Sequence, residues 1–415
     1  MITVEDINRI IGITESFQLP EKLMSLLFSP EKNKILKQFN DLEADMSFDW
    51  FTNYFQEEHS NRNAMMQDFT PKELTQLLPQ LHPGGYSKVL DICSGTGGLT
   101  IGAWRNHKDA EFYCEELSER AFPLLLFNLS VRNISGYAVN KNVLSGEILH
   151  IYRLEAGEEY SEIEEVQDYP NESDFDLIIS NPPYSLKFEW NDLPDWLQRY
   201  EPPTKAADYA FILYGISKLN AGGKMFAILP HGVLFRGQKE GAIRQKLLTD
   251  GLISEVIGLP EKLFLNTQIP VCILGIGKVG NVYFVDASKG FEKNAKQNRL
   301  RLEDCKKIIE AVRSRSDVDK YARIIYLSEI KDNDYNLNIP RYVDTSEEEP
   351  LPELGECLRN IWQTEQELRK TELSLAEMLR DMVAGDPEDR KILNDLQKYY
   401  NRKDKKNEGQ LFFDL

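Results

Sequence analysis

Asn181, Pro182, Pro183 and Tyr184 follow the apolar run Phe175–Ser180, and these residue types suit one chemistry. An exocyclic amine on a planar ring is a poor nucleophile because its lone pair is delocalised. Two acceptors aimed at its hydrogens help it toward tetrahedral geometry. The Asn181 side-chain oxygen and the Pro182 carbonyl can supply them. Proline fixes φ and lacks an N–H, so the turn is rigid. Tyr184 offers a ring to stack on a flat base. The competing reading is a di-proline turn with no chemistry.

A glycine loop upstream weighs against that reading. Asp91 ends a strand-like run, and Ser94, Gly95, Thr96, Gly97 and Gly98 turn into a helix. Glycines there permit positive φ and close backbone approach of a ligand. A carboxylate at the next strand end can accept from ribose hydroxyls. Glu115 and Glu116 compete for that place, and Glu116 is preferred. Asp91 is expected to face the ammonium of a methionyl group. The dinucleotide spacing, with its third glycine, is not met. The two motifs together predict methyl transfer from S-adenosylmethionine to a planar amine. A flipped base is the natural substrate, because a paired one cannot enter such a pocket.

The elements that must hold these residues follow from periodicity. Strands are predicted at 88–93, 111–116, 175–180, 224–229, 254–259, 271–278 and 282–286. Helical stretches separate them near 118–132, 207–219 and 241–249. The fold class is therefore α/β, a doubly wound and mostly parallel Rossmann-like sheet. Residues 1–65 read as a short helical segment, 66–344 as the catalytic domain, and 345–415 as a helical extension. Thr70 is expected to cap a helix whose first residue is Pro71. The acidic stretch 155–174 reads as a surface insertion. A long amphipathic helix spans 351–382, ended by Gly385, Asp386 and Pro387, with a second helix at 388–400.

Charge bears on partners. The chain carries 49 basic and 67 acidic residues, a net charge of −18. Affinity for duplex DNA comes mostly from basic groups neutralising phosphates. So acidic a chain is expected to need a partner that grips DNA. The five cysteines form no C-x-x-C pair and the histidines are scattered, so neither disulfides nor a metal site is expected. No secretory signal or membrane-length apolar run is present in the sequence, which points to the cytoplasm.

With these motifs in this order, the chain resembles the gamma-class N6-adenine DNA methyltransferases, and within them the modification subunit of type I restriction-modification systems. The resemblance runs from Asp68 to Asp344. It includes Phe69-Thr70-Pro71, Asn181 to Tyr184, the segment Gly222–Arg236, Leu263-Phe264, Ile269-Pro270 and Asn336–Val343. It implies a bacterial enzyme that methylates the N6 amine of adenine in DNA. It implies cofactor contacts at Phe69, Thr70, Pro71 and Glu116. A specificity subunit would dock on the C-terminal helices, and a restriction subunit is a further expected partner. Asn142 stands where the family often has Asp beside the cofactor's adenine. The family's N-terminal domain is usually much larger than the segment here. Alternatives are a stand-alone DNA methyltransferase and methylation of an RNA base or protein glutamine.

Some residues carry weaker signals. Phe188 and Trp190 are equally suited to walling a flipped base and to packing. Asp208 suits a helix start, and His231 a structural role. The terminal run Gln410–Leu415, apolar on a charged tail, suggests a peptide-groove partner such as a sliding clamp.

Overall fold

The computed structural model describes residues 2–52, 54, 69–170, 173–203, 205–265, 269–294, 297–346 and 353–407. Asp68 and the tail 410–415 lie outside the described residues. The chain forms two compact units, Met1–Thr345 and Ser346–Leu415.

The first unit begins with helices α1 (Val4–Ile11), α2 (Leu19–Leu27), α3 (Lys32–Leu42) and α4 (Lys72–Gln80). Strands and helices then alternate through β1 (Lys88–Ile92), α5 (Gly98–Asn106), β2 (Glu111–Glu116), α6 (Phe122–Val131) and β3 (Gly136–Lys141). Next come β4 (Ile148–Glu155), β5 (Glu162–Glu165), β6 (Phe175–Ser180), α7 (Asp208–Lys218), β7 (Leu219–Pro230) and α8 (Gln238–Thr249). The unit ends with β8 (Ile253–Gly258), β9 (Val271–Ile276), β10 (Asn281–Asp286), α9 (Leu302–Ser314), β11 (Ala322–Tyr326) and α10 (Leu327–Asp332). The second unit is helical, with α11 (Leu354–Asp381) and α12 (Pro387–Asn407).

Among the described residues, eleven strands form one sheet in the order β11-β10-β8-β9-β7-β6-β1-β2-β3-β4-β5. From β3 across to β7 every neighbouring pair is parallel. Strands β4, β9 and β11 run the other way. The sheet is thus mostly parallel, as the alternation of strands and helices predicts. Strand order reverses between β1 and β6, and ligand crevices open at the carboxyl ends beside such a reversal. The glycine loop leaves β1 there, and Asn181 leaves β6.

Side chains alternate across the pleat into two cores. Val89, Phe112, Leu177 and Ile179 join one cluster, while Leu90, Tyr113 and Ile178 join the other. All ten residues of α6 are buried, because a second layer covers its outer side. That layer is the N-terminal segment. Phe39 meets Phe127 edge-on at 4.7 Å between ring centroids, and Phe51 meets it at 5.1 Å.

Two local expectations are corrected. Pro71, not Thr70, stands at the N-cap of α4, and no side chain caps that helix. The acidic stretch does not simply lie between strands: part of it forms β5, which pairs antiparallel with β4 and extends the sheet edge. Glu162, Glu164 and Glu165 are exposed on β5, and charge on an edge strand deters pairing with other chains. Polar edge strands such as β5 lack the apolar runs by which the central strands are recognised; β11, at the other edge, and the interior strand β3 escaped notice too.

Candidate active site

The glycine loop is shaped by three left-handed residues, Cys93 (φ 61°), Gly95 (φ 57°) and Gly97 (φ 90°). At Gly97 a side chain is excluded twice, since a Cβ would lie 2.9 Å from Leu125 Cδ1. Ser94 anchors the turn: its N–H donates to Glu115 O at 3.0 Å and its hydroxyl to Asp91 O at 2.8 Å.

The two glutamates at the end of β2 have separate duties. Glu115 Oε1 accepts from Lys141 Nζ at 3.0 Å and from the Tyr214 hydroxyl at 2.7 Å. Burial, then the Glu115 charge, pushes the Tyr214 phenol far up, so it stays protonated. Glu116 leans over the glycine loop, accepting from the Gly95 N–H at 2.7 Å and the Ser118 N–H at 2.6 Å. Asn142 Oδ1 accepts from the Leu144 N–H at 3.1 Å, an Asx turn.

Asn181 begins the loop after β6. Ser180 just before it donates to Ile92 O at 2.7 Å, binding β6 to β1. Asn181 Nδ2 donates to Thr70 Oγ1 at 2.9 Å, and its Oδ1 accepts from the Tyr184 hydroxyl at 2.8 Å. The amide is thus held at both ends. Tyr184 meets Phe264 edge-on, at 6.0 Å between centroids.

These elements enclose one cleft of about 350 Å³. Of the expected residues, Phe69, Thr70, Ser94, Gly95, Thr96, Gly98, Glu116, Asn142, Asn181, Pro182, Pro183 and Tyr184 line it. Pro71, Asp91 and Gly97 are not in the lining. Asp91 turns instead to the start of α5, where Oδ2 accepts from the Thr100 hydroxyl at 2.6 Å and its N–H at 3.1 Å. Burial pushes the Asp91 carboxyl up to about 7, against those hydrogen bonds. Among the weaker candidates, Phe188 lines the cleft. Trp190 packs behind it at 4.8 Å and donates to Pro203 O at 2.8 Å. His231 Nε2 lies 3.0 Å from Val271 O, and burial holds its pKa down.

Two features went unread in the sequence. Ile2, Phe48, Asp49, Trp50 and Thr52 of the N-terminal segment also line the cleft. Nothing local marks them as site residues, since their role comes from the packing of the segment on α6. The other feature is a brace behind the loop from Asn181 to Tyr184. Ser185 follows Tyr184 with φ 52°, and its N–H donates to Asp208 Oδ1 at 2.9 Å. Arg236 bonds Asp208 Oδ2, and its Nη1 reaches Ser185 Oγ at 3.2 Å. Glu240 lies 2.6 Å from Arg236 Nε. An acidic residue opening an amphipathic helix gives no hint of this.

Among the described residues no group of His, Cys, Asp and Glu is placed to hold a metal ion. No described helix is long and apolar enough to cross a membrane.

Comparison with known proteins places the chain in a family. The model of a family described as N-6 DNA Methylase matches residues 40–350. The type I restriction enzyme MjaVII methylase subunit of Methanocaldococcus jannaschii is 27% identical, over 91% of this chain and 68% of its own. The MpnII methylase subunit of Mycoplasma pneumoniae is 26% identical, over 72% of this chain and 58% of its own. This chain therefore spans only part of each relative. The crystal structure of a type I restriction-modification methyltransferase subunit from Streptococcus thermophilus superposes with a TM-score of 0.62. It is 28% identical, over 82% of this chain and 80% of that one.

Proposed function

We propose, for a chain that belongs to the N-6 DNA methylase family, that it transfers a methyl group from S-adenosylmethionine to the N6 amine of an adenine flipped out of DNA. It acts as the modification subunit of an assembly in which a separate specificity subunit reads the sequence. The observation that carries this reading is the doubly held Asn181 amide at the mouth of the glycine-loop cleft.

The residues fit the cofactor. The left-handed glycine loop brings backbone, rather than side chains, up to a ligand. Glu116 stands at the strand end where ribose hydroxyls need an acceptor. Asn142 offers amide hydrogen bonds to an adenine edge without charge. Phe69, Leu117 and Leu144 add apolar wall for a flat base. When bound, the cofactor supplies an electrophilic methyl group on a sulfonium.

The chain's own residues act on the target amine. Asn181 Oδ1 and Pro182 O accept its two hydrogens and direct the nitrogen lone pair along the line of attack. An amide oxygen has two lone pairs, so it can receive the amine while Tyr184 still donates. Tyr184, Phe188 and Phe211 offer rings against the base. Catalysis is then mainly positioning. The amine sheds its surplus proton after transfer, so the mechanism needs no dedicated base.

The net charge of −18 supports a division of labour, with the DNA grip supplied by a partner. Measuring tritium transfer from labelled S-adenosylmethionine to DNA tests the reading. The purified chain is assayed alone and with its specificity subunit, and the product is identified as N6-methyladenine. Label on cytosine, or on protein but not DNA, would overturn it.

A further inference from the structure

Asp49 belongs to the N-terminal segment, yet its carboxylate is buried at the cofactor cleft. Four neutral donors converge on it. Oδ2 accepts from the Thr96 hydroxyl at 2.6 Å and from the Thr52 hydroxyl at 3.1 Å. Oδ1 accepts from Asn128 Nδ2 at 2.7 Å and from the Phe51 N–H at 2.9 Å. Thr96 is the middle residue of the glycine loop.

The loop is gripped a second time from the same side. Asn128 Nδ2 also donates to Thr96 O at 2.8 Å. Asn128 is itself oriented by Arg132, whose Nη1 donates to its Oδ1 at 2.8 Å. Arg132 then ties down the stretch that carries Asp49, with Nε to Met46 O at 2.9 Å and Nη2 to Phe48 O at 2.6 Å. One connected network thus runs from the N-terminal segment through α6 to the cofactor loop. On the far side of that loop Gly95 is held by Glu116. Gly95 and the flanking Cys93 and Gly97 are left-handed, and the two grips hold the turn they form in one shape.

We infer that Asp49 is a cofactor-positioning residue, and that through it the N-terminal segment forms a fixed wall of the S-adenosylmethionine site. The inference rests on the methyltransferase reading above. A loop fixed before the ligand arrives spends no binding energy on ordering. Loosening Thr96 therefore weakens the cofactor as well as the fold. A purely structural Asp49 would change stability and leave affinity alone.

The test is calorimetric titration of the full chain with S-adenosylmethionine, paired with melting curves taken without it. Thr96→Val removes the hydroxyl that Asp49 holds, and Asp49→Asn removes the charge and one acceptor. Both are expected to raise Kd about tenfold or more, the double variant doing no worse than the weaker single. Thr96→Ser, which keeps the hydroxyl, is expected to bind as the wild type does. If Asp49→Asn does not fold, Thr96→Val and Thr96→Ser decide. A wild-type Kd for Thr96→Val, whatever its melting temperature, overturns the inference. A wild-type chain that binds no cofactor overturns the methyltransferase reading, and this inference with it.

Discussion

Asn181 and Thr70, 111 residues apart in sequence, are joined by a 2.9 Å hydrogen bond from Nδ2 to Oγ1. The threonine that sequence reasoning assigns to a helix cap instead fixes the amide at the mouth of the cleft. The Asn181 oxygen is left at the other end of the amide, where it accepts from the Tyr184 hydroxyl. Asn181→Ala is expected to cut methyl transfer by about a hundredfold or more, the usual scale for losing one preorganised polar contact. Thr70→Val leaves the amide present but less oriented, and a loss of about tenfold is expected. Single-turnover rates at saturating cofactor measure both. Equal losses would show that Thr70 does more than orient Asn181.

Tyr184 spends its hydroxyl on Asn181 Oδ1, and its ring is the part proposed to stack on the base. Its two parts can be separated. Tyr184→Phe keeps the ring, so DNA binding is expected to change little. Tyr184→Ala loses the stack, worth about 1–3 kcal/mol per base. Fluorescence of 2-aminopurine at the target position reads the difference. A phenylalanine variant as weak as the alanine one would locate the role in the hydroxyl.

Asp91 gives a pH prediction. Burial raises its folded-state pKa to about 7 from the ordinary 3.8. The folded chain then binds the proton more tightly than the unfolded chain. Stability from this group is full below about pH 4 and is lost as pH climbs through about 7, a span of about 4 kcal/mol at most. Asp91→Asn, which cannot ionise, is expected to flatten the fall between about pH 4 and 7. Melting curves of the two proteins across that range decide, and parallel slopes would refute the assignment.

The apolar face of α11 is directly testable. Leu354, Leu358, Ile361, Trp362 and Leu368 are all exposed within their unit. A face of this kind fits the docking surface for a specificity subunit. Replacing Ile361 and Trp362 by Asp is expected to cost at least about 2 kcal/mol of that association. The cleft proposed for the cofactor lies in the other unit, so cofactor binding is expected to stay unchanged. Pull-down with the specificity subunit and calorimetry with cofactor measure the two. Intact association would place the docking surface elsewhere.

What was legible in sequence follows a physical line. The central strands β1, β2, β6 and β7 are apolar on both faces, so their runs stand out. The glycine loop and the Asn181 turn are equally visible, since each needs particular residue types in particular backbone shapes. The residues that hold these motifs from afar were not legible. Asp49 reaches Thr96 only because the N-terminal segment packs on α6. Asp91 reads like a ligand carboxylate, yet it is absent from the cleft lining and its Oδ2 is bonded to Thr100 near the start of α5. Long-range partners of this sort leave no periodicity and no local motif.

Asp208 and Arg236 make the same point at the catalytic loop, and they can be tested there. Asp208 is fully buried, and its two oxygens hold the Ser185 N–H and the Arg236 guanidinium. Ser185 sits in the left-handed region directly after Tyr184, where a non-glycine residue needs support. Losing the brace lets the loop relax and moves Asn181 and Tyr184 together. Asp208→Asn keeps an acceptor for Ser185 and gives up the ion pair. It is expected to lower kcat by about tenfold and to leave the cofactor Kd near wild type. Asp208→Ala strands part of a buried charge and is expected to destabilise the fold by about 3 kcal/mol, despite the help Arg236 has from Glu240. Arg236→Lys keeps the charge without the fork, so it is expected to preserve stability better than rate. Steady-state kinetics and denaturant melts on the three variants measure these effects. A kcat that stays at the wild-type value in Asp208→Asn would show that the loop holds its shape without the pair.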